Sequence, residues 1–327
     1  MMKRRYILPL FAAALFLGLT LWQHRLIRVL WSNWFQEKID MDENTVWEGG
    51  RVYERIPYAD ESENQYFDLY LPESEEPLPL LFLIHGGGFI GNDSRSRQAQ
   101  FMYRYFRDRG FACASVNYRL AQEAPYPAAV EDVSRALHFL SDHHEEYGID
   151  PDRIAVWGES AGGYLAVRLA VTEDTVPIRA LVDHYGILDF PSTAAQFENE
   201  GIPKAVLKIA NGWMDSYLEG YDSCEEYWAR KAMSEWSEAE KQEISVIHHA
   251  ENCVNKDLKS LILHGDADIM VPYEQSYMLR DALTLSCGKG RTNLEILHGF
   301  PHAGDAFYSN EQLARVESFL RSALNMD

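Results

Sequence analysis

One stretch of the 327-residue chain has side-chain types and spacing suited to nucleophilic catalysis: Gly158-Glu159-Ser160-Ala161-Gly162. It follows the apolar run Ile154-Ala155-Val156-Trp157 and precedes a helical pattern beginning near Gly162. A strand that turns sharply into a helix forces the serine into a strained backbone, and small residues two positions either side relieve the crowding. The helix N-terminus behind the serine offers positive potential to an anionic intermediate. His85-Gly86-Gly87-Gly88 follows another apolar run, 78–84. Its glycines let the backbone approach a ligand closely. It lacks G-x-G-x-x-G spacing and GK[ST], so nucleotide binding is weakly supported. The reading is an oxyanion loop, with the N–H groups of Gly87, Gly88 and Ala161 converging on the developing charge.

A serine nucleophile needs a base, and the base needs an orienting acid. His264-Gly265-Asp266-Ala267-Asp268 places two aspartates just past an apolar run. Asp266 reads as the turn residue and Asp268 as the acid, with Asp189 a distant third candidate. His298-Gly299-Phe300-Pro301-His302 offers two histidines. His298 ends a strand, whereas His302 sits in the loop before the last helix and is the expected base.

The elements that must position these groups alternate along the chain. Strands are expected at 66–71, 78–84, 112–118, 154–157, 180–184, 258–263 and 293–297, and helices at 96–108, 128–144, 163–171, 273–285 and 311–324. Short, nearly continuous apolar runs separated by helices predict a parallel sheet covered on both faces. Pro127 reads as a first-turn proline, with Glu131 and Asp132 early enough to suit the helix dipole. Residues 190–256 break the alternation, carry Trp213, Trp228 and Trp236, and read as a lid insertion.

Four stretches in combination resemble the hormone-sensitive-lipase-like and carbohydrate-esterase-like (BD-FAE-like) α/β-hydrolases. They are His85-Gly-Gly-Gly, Tyr118-Arg119-Leu120 with 127–133, Gly158-Glu-Ser-Ala-Gly-Gly, and His264-Gly-Asp-Ala-Asp with Val271-Pro272. The resemblance spans roughly 50–325. It implies the α/β-hydrolase fold, with a mostly parallel central sheet, helices on both faces and a lid. It also implies a serine carboxylester hydrolase that needs neither metal nor cofactor and works through an acyl-enzyme. The expected substrate is a small-molecule or carbohydrate ester with a short, acetyl-type acyl group. Glu159 stands where the hormone-sensitive-lipase group usually has Asp, and that group's acid-loop motif is absent, which favours the carbohydrate-esterase-like branch. The rival readings are a prolyl-oligopeptidase-type serine peptidase and a non-catalytic binding module on the same fold.

Composition narrows the partners. The formal net charge is −20, and the first 30 residues carry five bases and no acid, leaving −25 on 31–327. Such a body repels nucleic acid and anionic headgroups. Residues 6–22 run without a charge behind Lys3-Arg4-Arg5. The expectation is an uncleaved membrane anchor within 1–30, a connector over 31–50, and a catalytic domain over 51–327 held outside the cytoplasm. A cleaved signal and secretion are the alternative. The four cysteines show no CxxC pair, and Cys113 reads as a buried thiol. The adjacent pairs His143-His144 and His248-His249 are poorly spaced for one metal and read as solvated surface, while His85 and His264 read as structural hydrogen-bonders. Oligomeric state is not legible.

Overall fold

The computed structural model describes residues 49–199 and 237–326. The anchor segment, most of the connector, the three tryptophans of the insertion and Cys224 lie outside the described residues. Among those residues no helix is long and apolar enough to cross a membrane.

Eight strands form one sheet in the order β1-β2-β4-β3-β5-β6-β7-β8. They are β1 (Arg51–Pro57), β2 (Tyr66–Leu71), β3 (Leu78–Ile84), β4 (Ala112–Val116), β5 (Ile149–Glu159), β6 (Ile178–His184), β7 (Lys259–Gly265) and β8 (Thr292–Leu297). β2 runs antiparallel to both of its neighbours, β1 and β4, while β3 to β8 are mutually parallel. The helices are α1 (Arg97–Arg107), α2 (Ala128–Asp142), α3 (His144–Tyr147), α4 (Ala161–Thr172), α5 (Phe190–Asn199), α6 (Glu238–Ile244), α7 (Val246–Glu251), α8 (Glu274–Cys287) and α9 (Asn310–Ala323).

The side-chain alternation of a strand explains why the sequence reads as continuous apolar runs. Leu80, Phe82 and Ile84 of β3 join Ile154 and Val156 of β5 in one core, shared with α2, α4, α7 and α8. Leu81 and Leu83, with Ala155 and Trp157, face a second core shared with α1 and α9. Both faces are covered, so a polar residue on either face would be buried.

Several boundaries and elements differ from expectation. β1 was not expected, because its sequence Arg-Val-Tyr-Glu-Arg-Ile-Pro is largely exposed and leaves little apolar signal. β5 begins at Ile149, ahead of the apolar run. Pro127 precedes α2 as its N-cap instead of lying in its first turn. Val246, Ile247, Ala250 and Cys253, inside the stretch read as a lid, are buried in the first core. That end of the insertion is therefore part of the body.

Asp132 does more than suit a helix dipole. It is completely buried. It accepts the Arg119 backbone N–H at 2.9 Å, the guanidinium at 2.7–3.1 Å and the Gln65 amide at 2.8 Å. The Arg119 side chain is only 15% exposed, so removing the carboxylate would strand a mostly buried cation. Breaking such a pair from one side costs about 3–5 kcal/mol. Asp132→Ala is therefore expected to lower unfolding stability by about that amount in urea titration, and a loss below about 1 kcal/mol would contradict the pairing.

Candidate active site

The parallel strands deliver every motif to one edge of the sheet. Ser160 follows β5 and stands at φ +53°, ψ −119°, a strained conformation for a residue with a Cβ. Its N–H donates to His184 O at 2.9 Å, at the end of the neighbouring β6. The flanking glycines are required by contact. A Cβ on Gly158 would collide with the Gly162 carbonyl, and one on Gly162 with the carbonyls of Ile84 and His85. The elbow thus lies against the strand end that leads into the glycine loop.

His302 Nε2 is 3.0 Å from Ser160 Oγ, and His302 Nδ1 is 2.6 Å from Asp268 Oδ2. With a carboxylate at Nδ1, the proton sits there and Nε2 is the acceptor for the serine hydroxyl. Asp268 is fully buried, and its other oxygen accepts the N–H groups of Met270 (2.8 Å) and Val271 (2.9 Å). Burial by itself would raise its pKa. The opposing pull of His302, together with hydrogen bonds from His264 and His302, holds the carboxyl well below the usual range.

His264 is the participant that motif reading underrated. Its Nε2 donates to Asp268 Oδ2 and Val271 O, both at 3.1 Å, while Nδ1 accepts from Ser276 Oγ at 2.7 Å. Asp268 Oδ2 therefore sits between two imidazoles. The available signal was its place at a strand end: His264 is the last buried residue but one of β7, four positions before Asp268.

The rival candidates form their own structure. Asp266 accepts the Gly299 N–H at 2.7 Å and pairs with His298 Nδ1 at 2.9 Å, and His298 is largely exposed. Asp266 N–H donates to Leu297 O and Ala267 N–H to Phe300 O, both at 3.1 Å, closing the acid loop onto the base loop. A Cβ on Gly265 would collide with Phe300 O. Asp189 is bound to Ser245 Oγ at 2.6 Å and to the Ser192 N–H at 3.2 Å, at the start of α5.

The glycine loop abuts the elbow: a Cβ on Gly86 would lie 3.2 Å from Ser160 Cβ. Gly87 and Gly88 have φ +119° and +62°, and Ala161 opens α4. His85 is buried, stacks on Tyr118 with centroids 4.3 Å apart, and donates from Nδ1 to Gly86 O at 2.7 Å. Desolvation lowers its pKa to about 4, so it is neutral. A small apolar cavity of about 30 Å³ lies among Phe89, Tyr164, Leu165, Phe190 and Ile244. Its wall begins one residue past Gly88 and one turn past Ser160. His249 departs from the expected solvated surface: it is partly buried, with Nε2 2.8 Å from Glu243 O. Among the described residues no three His, Cys, Asp or Glu side chains gather as a metal-ligand set.

The sequence matches the family model described as BD-FAE over residues 67–283. Esterase LipQ of Mycobacterium tuberculosis is 25% identical over 242 residues, covering 70% of this chain and 52% of its own length. Carboxylesterase NlhH of the same species is 32% identical over 159 residues, covering 46% of this chain and 48% of its own. The chain thus spans about half the length of these curated relatives. A truncated carbohydrate esterase from gut microbiota superposes with a TM-score of 0.65 at 21% identity, covering 85% of this chain and 97% of its own. That likeness shows a shared α/β-hydrolase fold.

His184 yields a test of the packing behind Ser160. The ring is fully buried among Trp157, Tyr185, Phe307 and Tyr308, and neither nitrogen has a hydrogen-bond partner among the described residues. Desolvation lowers its pKa to about 3. The unfolded chain takes up this proton near pH 6.5 while the folded protein does not, so stability falls as pH drops below that value. His184→Phe removes the difference. Relative to wild type it is expected to gain about 2 kcal/mol more at pH 5 than at pH 8 in denaturant unfolding. Parallel stability–pH curves for the two proteins would contradict this.

Proposed function

The chain belongs to the BD-FAE family, and on that premise we propose that it is a serine carboxylester hydrolase acting on short-chain, acetyl-type esters. The observation that carries the reading is the chain of hydrogen bonds from Asp268 through His302 to Ser160 Oγ, at 2.6 and 3.0 Å.

In this reading Ser160 Oγ attacks the ester carbonyl as its proton passes to His302 Nε2. Asp268 holds the ring in the tautomer that leaves Nε2 free to accept, and it stabilises the imidazolium. The N–H groups of Gly87, Gly88 and Ala161 donate to the tetrahedral oxyanion, the point where charge develops. His302 then protonates the departing alkoxide, leaving acyl-Ser160. Water attacks this ester, His302 takes its proton, and the second tetrahedral intermediate releases the acid and the free serine.

The cavity beside the elbow, at about 30 Å³, suits a group of a few heavy atoms, and its lining is almost wholly apolar. A net charge of −20 disfavours acidic substrates at low salt. The similarity to an esterase and a carboxylesterase supports an ester substrate, and the likeness to a carbohydrate esterase supports a carbohydrate ester. The complete Ser–His–Asp set weighs against a non-catalytic binding module.

Two measurements test the proposal. Ser160→Ala and His302→Ala are expected to lower p-nitrophenyl acetate turnover by roughly 10⁶, and Asp268→Asn by on the order of 10⁴. His298→Ala and Asp266→Asn are expected to cost about tenfold or less, because their pair only ties the two loops together. Folded Ser160→Ala protein with a near-wild-type rate would end the reading, and a reversal between the two histidines would reassign the base. The second is a chain-length series of p-nitrophenyl esters beside acetylated xylo-oligosaccharides and an aminoacyl-anilide. Short acyl groups are expected to turn over fastest. Preference for long chains would refute the acyl assignment, and faster cleavage of the anilide would favour a peptidase.

A further inference from the structure

The residue before Ser160 is a carboxylic acid that the reaction as drawn does not use. Glu159 is 3% exposed and points away from solvent into the space between the elbow and the base loop. Tyr308 OH donates to its Oε2. Tyr185 OH lies 2.6 Å from Tyr308 OH and 3.2 Å from the same Oε2. Each hydroxyl has one proton, so Tyr308 donates to the carboxylate while Tyr185 donates mainly to Tyr308. The Gly86 N–H also favours the charged form of the carboxylate.

These partners come from separate parts of the site. Tyr308 closes a 3₁₀ turn (Asp305–Tyr308) six residues after His302, so it belongs to the base loop. Tyr185 follows β6, and its ring meets the His302 ring edge-on at 4.8 Å between centroids. Its backbone sits at φ +42°, uncommon for an aromatic residue and maintained only where the surroundings over-determine it. Gly86 opens the glycine loop. The other titratable groups around this cluster are Tyr118 past β4, His184 at the end of β6 and His302 itself, with Asp268 on the far side of His302. Burial raises the Glu159 pKa, while the two tyrosines, the Gly86 N–H and the imidazole of His302 oppose that rise.

We propose that Glu159 is a positioning residue: its buried carboxylate joins the elbow, the base loop and the glycine loop at one point, fixing His302 against Ser160. The proposal rests on Ser160 and His302 being nucleophile and base. It also gives a physical use for glutamate over the shorter aspartate, since a side chain one methylene longer reaches further from the elbow towards the tyrosine of the base loop. Because a negative charge beside an imidazole favours the imidazolium, the carboxylate also bears on the pH at which His302 becomes a usable base.

The test uses the full chain carrying Glu159→Gln, Tyr308→Phe, or both. Readouts are kcat and KM for p-nitrophenyl acetate from pH 5 to 9, the thermal midpoint, and labelling by a fluorophosphonate. Glu159→Gln is expected to lose about tenfold to a hundredfold in kcat with KM within about twofold. Its acidic limb in log kcat/KM should move to lower pH. The double variant should be little worse than the poorer single, because both remove one shared link. Wild-type kcat and an unmoved limb in folded Glu159→Gln would overturn the proposal, as would fully additive losses. If Glu159→Gln does not fold, Tyr308→Phe decides, and an unchanged kcat there overturns it. Failure of the underlying reading looks different: wild-type protein would not label at Ser160, or Ser160→Ala would still hydrolyse the ester.

Discussion

The site depends on one carboxylate that must stay charged in a fully buried position. Asp268 is shielded from water, and an isolated anion there would be strongly disfavoured. Two backbone N–H groups and two imidazoles surround it. His264 takes one of these places permanently, anchored behind by Ser276 and Val271, and so leaves a defined direction for His302. The orientation of His302 towards Ser160 follows from where Asp268 is held. Weakening the acid loop would therefore reach the serine without touching it.

The sheet makes that arrangement possible across long distances in sequence. His302 and Ser160 are 142 positions apart, yet both lie just past the ends of parallel strands. In a parallel sheet these ends share one edge, so loops after β3, β5, β7 and β8 meet there. Close backbone contacts then remove slack. The elbow is pressed on the glycine loop at Gly86 and Gly162, and the acid loop is hydrogen-bonded to the base loop at Leu297 and Phe300. The strain at Ser160 is supported by the Ser160 N–H bond to His184 O, which ties the elbow to β6.

Much of this was legible from local pattern, and the failures have physical causes. Buried parallel strands announce themselves as apolar runs, so the bounds of β3 to β8 were placed to within about two residues, except the start of β5. β1 was missed because an exposed antiparallel edge strand needs no apolar pattern. G-x-S-x-G in a strand–helix context located Ser160, because steric crowding at the elbow leaves few residue choices. Two Asp and two His in two loops gave the candidates for acid and base, and the structure brings those loops together. Asp268 and His302 were chosen from their places deeper in the two loops, and the structure pairs these two while Asp266 pairs with His298 at the strand ends. The roles of Asp132 and Glu159 were hidden. Each is a buried acid whose partners come from distant segments, and nothing in the local sequence marks an acid as buried.

In the proposed reaction Ser160 becomes acylated because His302, held by Asp268, accepts its proton. Mass spectrometry of protein acid-quenched during p-nitrophenyl acetate turnover tests this most directly. An acetyl group is expected on the peptide carrying Ser160 in wild-type protein and is expected to be absent in His302→Ala, where the serine remains but the base does not. An adduct on another residue, or equal acetylation of Ser160 without His302, would contradict it.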